Sequence, residues 1–269
     1  MPSDKEIGGK HPENSEVFRH SCLLHLQTWD EVDAYLERAR GIIVPIGSTE
    51  QHGPNGLIGT DAICAEAIAA GVGTAAGALV GPTINVGNAQ HHLAFAGTIT
   101  LRPLTLMAVI GDYVFSLARH GFERFYFING HGGNIATVGA AFAEIYAQAS
   151  LRPADNARPL RCALKNWWQT PGVQKLTKEL FGDSEGSHAT PSEVSVTQHV
   201  HPEAIKRRAM GPPAPRARNF TDAADYRRLF PDGRIGSDPT LASPEHGARL
   251  VEAAVRDIAE EYRSFAARD

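Results

Sequence analysis

The sequence predicts an α/β fold in which a mostly parallel sheet is covered by helices on both faces. Three observations carry this. Short apolar runs rich in β-branched or aromatic residues, at 42–46 and 124–128, alternate with longer segments of helical periodicity. Apart from Arg124, both runs are apolar rather than alternating, as strands buried on two faces are. Each empties into a polar, glycine-rich turn, GSTEQHG at 47–53 and NGHGGN at 129–134, after which a helix-like segment resumes.

Residues 1–20 read as a loose polar tail before a single domain over 21–269. Residues 28–39 carry Val32, Tyr35, Leu36 and Ala39 at helical spacing behind Thr28 or Asp30 as cap. The strand at 42–46 and its turn follow. Residues 62–76 form a small-residue helix, 78–84 a strand, and 85–102 an irregular stretch. Residues 105–120 place Leu106, Val109, Ile110, Tyr113, Val114 and Leu117 on one stripe and stop at Gly121. The strand at 124–128, its turn and a helix at 135–149 repeat the design of the first unit. A strand is expected at 161–167, loop at 170–187, and a helix at 191–199. Residues 210–236, rich in Pro, Arg and Asp, read as a surface excursion. A final amphipathic helix at 243–266 turns Leu250, Val251, Ala254, Ile258 and Tyr262 inward.

Composition narrows the function classes. A chain of 269 residues, 42% hydrophobic and 21% charged, suits one large globular domain. A net charge of -4 argues against nucleic acid or an anionic membrane surface as partner. Cys22, Cys64 and Cys162 are few, odd in number and far apart, so neither a disulfide framework nor a cysteine zinc site is expected. No apolar run reaches the length of about 18 residues that a membrane span needs, and the first residues lack a secretory apolar core. A cytoplasmic location is expected.

The chemistry gathers at the strand ends. Open α/β sheets bind ligands beyond the carboxyl ends of their strands. Glu50 and His52 lie there, and Asp61 follows as either a helix cap or a further ligand. His131 stands between glycines directly after the second strand, and Glu193 lies in the first turn of a helix behind the segment GSHATPSE. Taken alone, each motif also has a plain structural reading as turn, cap or cleft wall. Ser48 lacks the G-x-S-x-G spacing of a nucleophile elbow, which disfavours a serine hydrolase. Two imidazoles and three carboxylates, with no thiolate, suit Zn, Mn or Fe(II). Five ligands exceed the needs of one catalytic ion, so two ions sharing a carboxylate are expected.

Three motifs in this order, GSTEQHGP followed by TD, then NGHGGN, then HA-x-x-x-E-x-S, resemble the creatininase (creatinine amidohydrolase) family over about residues 25–265. The resemblance implies a three-layer α/β/α sandwich with a mostly parallel, mixed sheet, and a homo-oligomer, often a hexamer. It also implies a centre of two divalent ions, zinc first and manganese or iron as alternatives, that hydrolyses a C–N bond of a small amide or cyclic amide. On this pattern Glu50, Asp61 and His131 hold one ion, while His52 and the shared Asp61 hold the other. Creatininase has a tyrosine where this chain has Gly132 and a glutamate where it has Gly133. Either Glu193 completes the second ion or that ion binds weakly, and the lost side chains argue against creatinine itself.

On that reading a metal-activated water attacks the amide carbonyl, with His188 as general acid for the leaving nitrogen and Glu193 beside it. His92, Trp167, Trp168, Gly132 and Gly133 are the expected substrate walls. A metallophosphoesterase or a non-catalytic binding member of the fold are the alternatives. The phosphoesterase would need basic residues near the ions, and few lie close in sequence.

Overall fold

Six consecutive buried residues, Gly41–Ile46, form β1 at the centre of the protein. In the computed structural model, which describes residues 22–151, 159–215 and 219–267, β1 is flanked by β2 (Leu79–Val80) and β3 (Arg124–Asn129), and β3 pairs with β4 (Arg161–Asn166). All three pairings are parallel, in the order β2-β1-β3-β4, with Ile43 opposite Val80 and Tyr126, and Tyr126 opposite Ala163. Among the described residues, antiparallel contact is confined to the isolated bridges Thr49–Ile99 and His188–Ile235. The expected tail at 1–20 lies outside the described residues.

Alternate strand residues feed two cores. Ile42, Val44, Ile46, Phe125 and Phe127 pack against helices α1 (Trp29–Leu36), α3 (Pro103–Ala118) and α4 (Ile135–Leu151). Ile43, Tyr126 and Ile128 pack on the other face against α2 (Thr60–Ala76), α5 (Pro171–Leu180), α6 (Pro191–Val200) and α8 (Pro244–Ala266). The result is three layers, helices on sheet on helices. A fully buried Ile, Val or Phe contributes roughly 1.5–3 kcal/mol, so β1 and β3, filled with them, anchor both cores.

Several expectations are corrected. The segment at 170–187 is not loop: Thr170 accepts a hydrogen bond from the Val173 N–H and opens α5. The strand expected at 78–84 shrinks to two residues: Gly81 still donates to the Ile43 carbonyl, but Pro82 has no N–H to offer, and only Ile84 rejoins β1 in an isolated bridge. Helix α2 begins at Thr60 behind Gly59, so Asp61 sits in its first turn rather than capping it. The excursion at 210–236 contains α7 (Ala223–Leu229), and Tyr226 and Phe230 are fully buried, which makes it part of the wall over the irregular stretch at 90–92.

Two glycines set how closely the layers meet at the strand ends. A Cβ on Gly47 would lie 2.4 Å from the Ala62 nitrogen, and one on Gly130 would lie 2.0 Å from the Asp61 carbonyl oxygen. Only bare backbone lets both turns touch the first turn of α2. A Cβ on Gly132, by contrast, would meet nothing within 4 Å. Gly130→Ala should therefore lose about 2 kcal/mol or more of stability, as overpacking does, while Gly132→Ala should stay within about 0.5 kcal/mol. Urea unfolding of the two variants checks this, and equal stability of both would refute the close approach.

Candidate metal centre

The turns after β1 and β3 and the first turns of α2 and α6 deliver their side chains to one point. His52 Nε2 lies 3.0 Å from Asp61 Oδ1, and His131 Nδ1 lies 3.1 Å from Asp61 Oδ2. His131 Nε2 is 3.2 Å from Glu50 Oε2. Two groups form, Glu50–Asp61–His131 and His52–Asp61–Glu193, each with ligand-type atoms within 4.8 Å of one another and with Asp61 common to both. A third group, Glu50–His92–His188, adjoins them. The four central residues are nearly sealed: Glu50 is 0% exposed, His52 1%, Asp61 2% and His131 5%.

The hydrogen bonds around the cluster are those of a candidate metal site. His52 Nδ1 lies 3.1 Å from the Glu50 carbonyl and His131 Nε2 lies 2.8 Å from the Asn88 carbonyl. A carbonyl only accepts, so each of those ring nitrogens donates, and a neutral ring would turn the lone pair of its other nitrogen on the Asp61 carboxylate. Lone pair against carboxylate is repulsive unless a cation lies between. Asp61 Oδ2 and Glu50 Oε1 are buried without a hydrogen bond, although each has an imidazole nitrogen 3.1 Å away. For Asp61 and His131, close approach without alignment is what two ligands aimed at a common third atom produce. A backbone carbonyl behind the imidazole is also the usual support of a metal-bound histidine.

Protonation tells the same story. Burial opposes a charge on His52, but Asp61, with Glu193 and Glu50, outweighs it and raises its pKa to about 10. His131 is raised to about 9, burial again being outweighed by Glu50 and Asp61. Burial likewise disfavours an ionised Asp61, yet His52 and His131 hold its carboxyl far below the ordinary value. Protons on these rings balance the buried carboxylates, as a bound cation would. Outside the two groups the trend reverses. Burial, then His52 and His131, lowers His92 to about 3, and burial with His92 and His52 holds His188 well below an ordinary imidazole.

Neighbouring polar groups brace the ligand-type residues. Ser48 Oγ donates to Glu50 Oε2 at 2.8 Å. Asn129 holds the His131 backbone at both N–H and C=O, and Asn134 donates to the Gly47 carbonyl at 2.9 Å, tying the two turns together. Glu193 closes a capping box with Thr190, whose N–H and hydroxyl donate to its Oε2 at 2.9 and 2.8 Å. Between His188 and that cap, buried Ala189 takes φ +54°, an unfavourable conformation for a residue with a Cβ, costing on the order of 1 kcal/mol. It turns His188 toward Glu50 while Thr190 starts the helix.

A pocket of about 540 Å³ opens over the cluster, lined by Asp61, His131, His188 and Glu193 and walled by Trp168, Ile135, Phe220 and Ile235. Of the expected walls, Trp168, Gly132, Gly133 and His92 line it. Trp167 does not: it is 0% exposed and packs in the core with Tyr126 and Val173, because the short turn at 167–169 sends neighbouring indoles in different directions. His92 reaches the pocket but is 1% exposed, with its Nε2 facing Glu50 Oε1. A Cβ on Gly133 would lie 2.4 Å from His131 Nε2 and 2.5 Å from the Asn88 carbonyl oxygen, so no glutamate fits there without a shift of backbone.

Three residues were not read from the sequence. Gln51 is bonded beneath the site, Glu185 lines the pocket with one oxygen lacking a partner, and Phe220 forms part of the roof. Burial raises the Glu185 carboxyl to about 7 against the pull of Ser192, which donates to it at 2.5 Å. The position of Gln51 between Glu50 and His52 was a usable signal; the other two depend on tertiary contacts.

Comparison with known proteins bears on the whole arrangement. The model of the creatininase family, described as creatinine amidohydrolase, matches residues 25–262. The mycofactocin precursor peptide peptidase of Mycobacterium ulcerans (strain Agy99) is 31% identical over 229 residues, covering 80% of this chain and 82% of that one. The creatinine amidohydrolase of Pseudomonas putida is 28% identical over 248 residues, covering 88% and 94%. Among solved structures, creatininase Mn superposes with a TM-score of 0.80 at 24% identity, covering 93% of this chain and 100% of that one, which shows a shared fold. A family match spanning nearly all of the described chain, on the fold that carries the cluster, leads to one conclusion: this protein is a member of the creatininase family.

Proposed function

We propose that this protein is a metal-dependent amidohydrolase that cleaves a C–N bond of an amide larger than creatinine. The observation that carries this is the shared Asp61, whose two oxygens face His52 and His131 in two adjoining ligand groups. Glu50, Asp61 and His131 would hold one divalent ion, and His52, Asp61 and Glu193 the other. Ions bound there supply polarisation of the amide carbonyl and a water acidified toward neutral pH. The buried cluster fits them, since its ring nitrogens and orphaned carboxylate oxygens need cations.

The chain's own groups handle the protons. His188 Nε2 lies 2.8 Å from the Gln51 carbonyl and donates to it, which leaves Nδ1 unprotonated on the side facing Glu50 and the pocket. His188 Nδ1 accepts a proton from the attacking water and passes it to the leaving nitrogen as the C–N bond breaks. A neutral resting imidazole, as its lowered pKa gives, suits that order. Gly132, with open space where a side chain would stand, leaves room beside His131 for the chain flanking the scissile bond. The pocket volume and the two glycines in place of Tyr and Glu support a substrate bulkier than creatinine. Among the described residues that line the pocket there is no lysine or arginine, which speaks against a phosphoester.

Three outcomes test this reading. Elemental analysis of purified protein should find about two divalent ions per chain, and Asp61→Asn should lose both along with amide hydrolysis; retention of both ions would sink the shared-carboxylate assignment. His188→Ala should keep its ions while kcat on an amide panel, read by amine release, falls about 10²–10⁴-fold. Full turnover in that variant would remove His188 from the mechanism. Metal loading at pH 7 should release about two protons per chain, since His52 and His131, raised to about 10 and about 9, are charged before loading. Titration calorimetry in buffers of different ionisation enthalpy measures this, and loading without proton release would contradict it.

A further inference from the structure

Gln51 lies between two ligand-type residues, is 6% exposed, and its side-chain amide is held at both ends by backbone. Its Oε1 accepts from the Gly53 N–H at 2.8 Å, and its Nε2 donates to the Gly233 carbonyl at 3.1 Å. Those bonds fix which end is oxygen and which is nitrogen. The loop is fitted to the amide: a Cβ on Gly233 would lie 1.8 Å from Gln51 Oε1, and the backbone there has φ +87°, which suits glycine. Tyr226 Oη donates to the same Gly233 carbonyl at 2.8 Å and holds it in place.

One amide hydrogen of Nε2 remains, and two imidazole nitrogens lie 2.9 Å away, His92 Nδ1 and His188 Nε2. His188 Nε2 also lies 2.8 Å from the Gln51 main-chain carbonyl, which only accepts, so that nitrogen carries its own hydrogen. His92 Nδ1 is therefore the acceptor. A neutral His92 that accepts at Nδ1 has its hydrogen on Nε2, the atom 3.1 Å from Glu50 Oε1.

We propose that Gln51 is a positioning residue that sets the tautomers of two histidines, placing the N–H of His92 on the side of Glu50 and giving His188 a bare Nδ1 on the side of the pocket. The consequence for His188 rests on the proton-transfer role given to it above; that for His92 stands by itself. Glu50, His92 and His188 offer ligand-type atoms within 4.8 Å of one another, and such a set would otherwise compete for an ion. With its Nε2 protonated, His92 has no lone pair to offer there. Its N–H stands 3.1 Å from Glu50 Oε1, not aligned as a hydrogen bond but setting a positive edge beside that carboxylate, and the centre keeps to the two groups that share Asp61.

Neutron diffraction from deuterium-exchanged crystals of the zinc-loaded full chain reads these protons directly and needs no substrate. Deuterium is expected on Nε2 of both His92 and His188 and on neither Nδ1. In Gln51→Glu, whose carboxylate accepts instead of donating, the deuterium on His92 should move to Nδ1. Deuterium on His92 Nδ1 in the native protein, or an unchanged pattern in the variant, would overturn the proposal, and the native map decides alone should the variant not fold. On any amide the native protein hydrolyses, Gln51→Met should lower kcat about 10–100-fold with KM held within about twofold. A rise in KM with kcat intact would overturn the positioning role while leaving the amidohydrolase reading standing.

Discussion

One carboxylate shared between two imidazoles governs this structure. Asp61 is 2% exposed, and an isolated charge at such a depth would cost several kcal/mol. It persists because His52 comes to one oxygen from the turn after β1 and His131 to the other from the turn after β3. Neither turn could reach it if Gly47 or Gly130 carried a side chain. The close backbone contact, the parallel sheet that sets two strand ends side by side, and the charge balance of the cluster are thus one requirement seen at three scales.

Much of this was legible in the sequence, and the reason is local. A continuous apolar run ending in Gly-Ser-Thr-Glu-Gln-His announces both a buried strand and the residues at its end, because the strand's direction fixes where the turn must lie. The same holds for Asn129 to Asn134. Glu193 was legible as a first-turn residue from the Thr-Pro-Ser-Glu signal, and the structure shows that box closed. Glu193 and Asp61 share one ligand group, and a side chain at position 133 would clash with His131, so no carboxylate can enter from there without a shift of backbone.

What was not legible depends on contacts distant in sequence or on orientation within a turn. Trp167 and Trp168 are neighbours of one chemical type, yet one fills the core and the other the pocket wall; composition cannot separate them. Helix α5 was overlooked although Thr170-Pro171 and the spacing of Val173, Leu176 and Leu180 announce it, so there the reading, not the signal, was at fault. The excursion at 210–236 hides Tyr226 and Phe230 among charged residues. Gln51 acts through Gly233, 182 positions away, a partnership that no local pattern encodes.

Glu193 is held in the first turn of α6, and α6 is seated by the last helix of the chain. A Cβ on Gly247 would lie 2.0 Å from the Ser195 carbonyl oxygen, so α8 rests directly on the backbone of α6. The Ser243 N–H that opens α8 donates to Ser195 Oγ. None of the described residues of α8 lines the pocket. A premature stop codon ahead of α8 would nonetheless unseat a ligand-type carboxylate some fifty residues upstream, making α8 a structural support of a centre whose pocket it does not line.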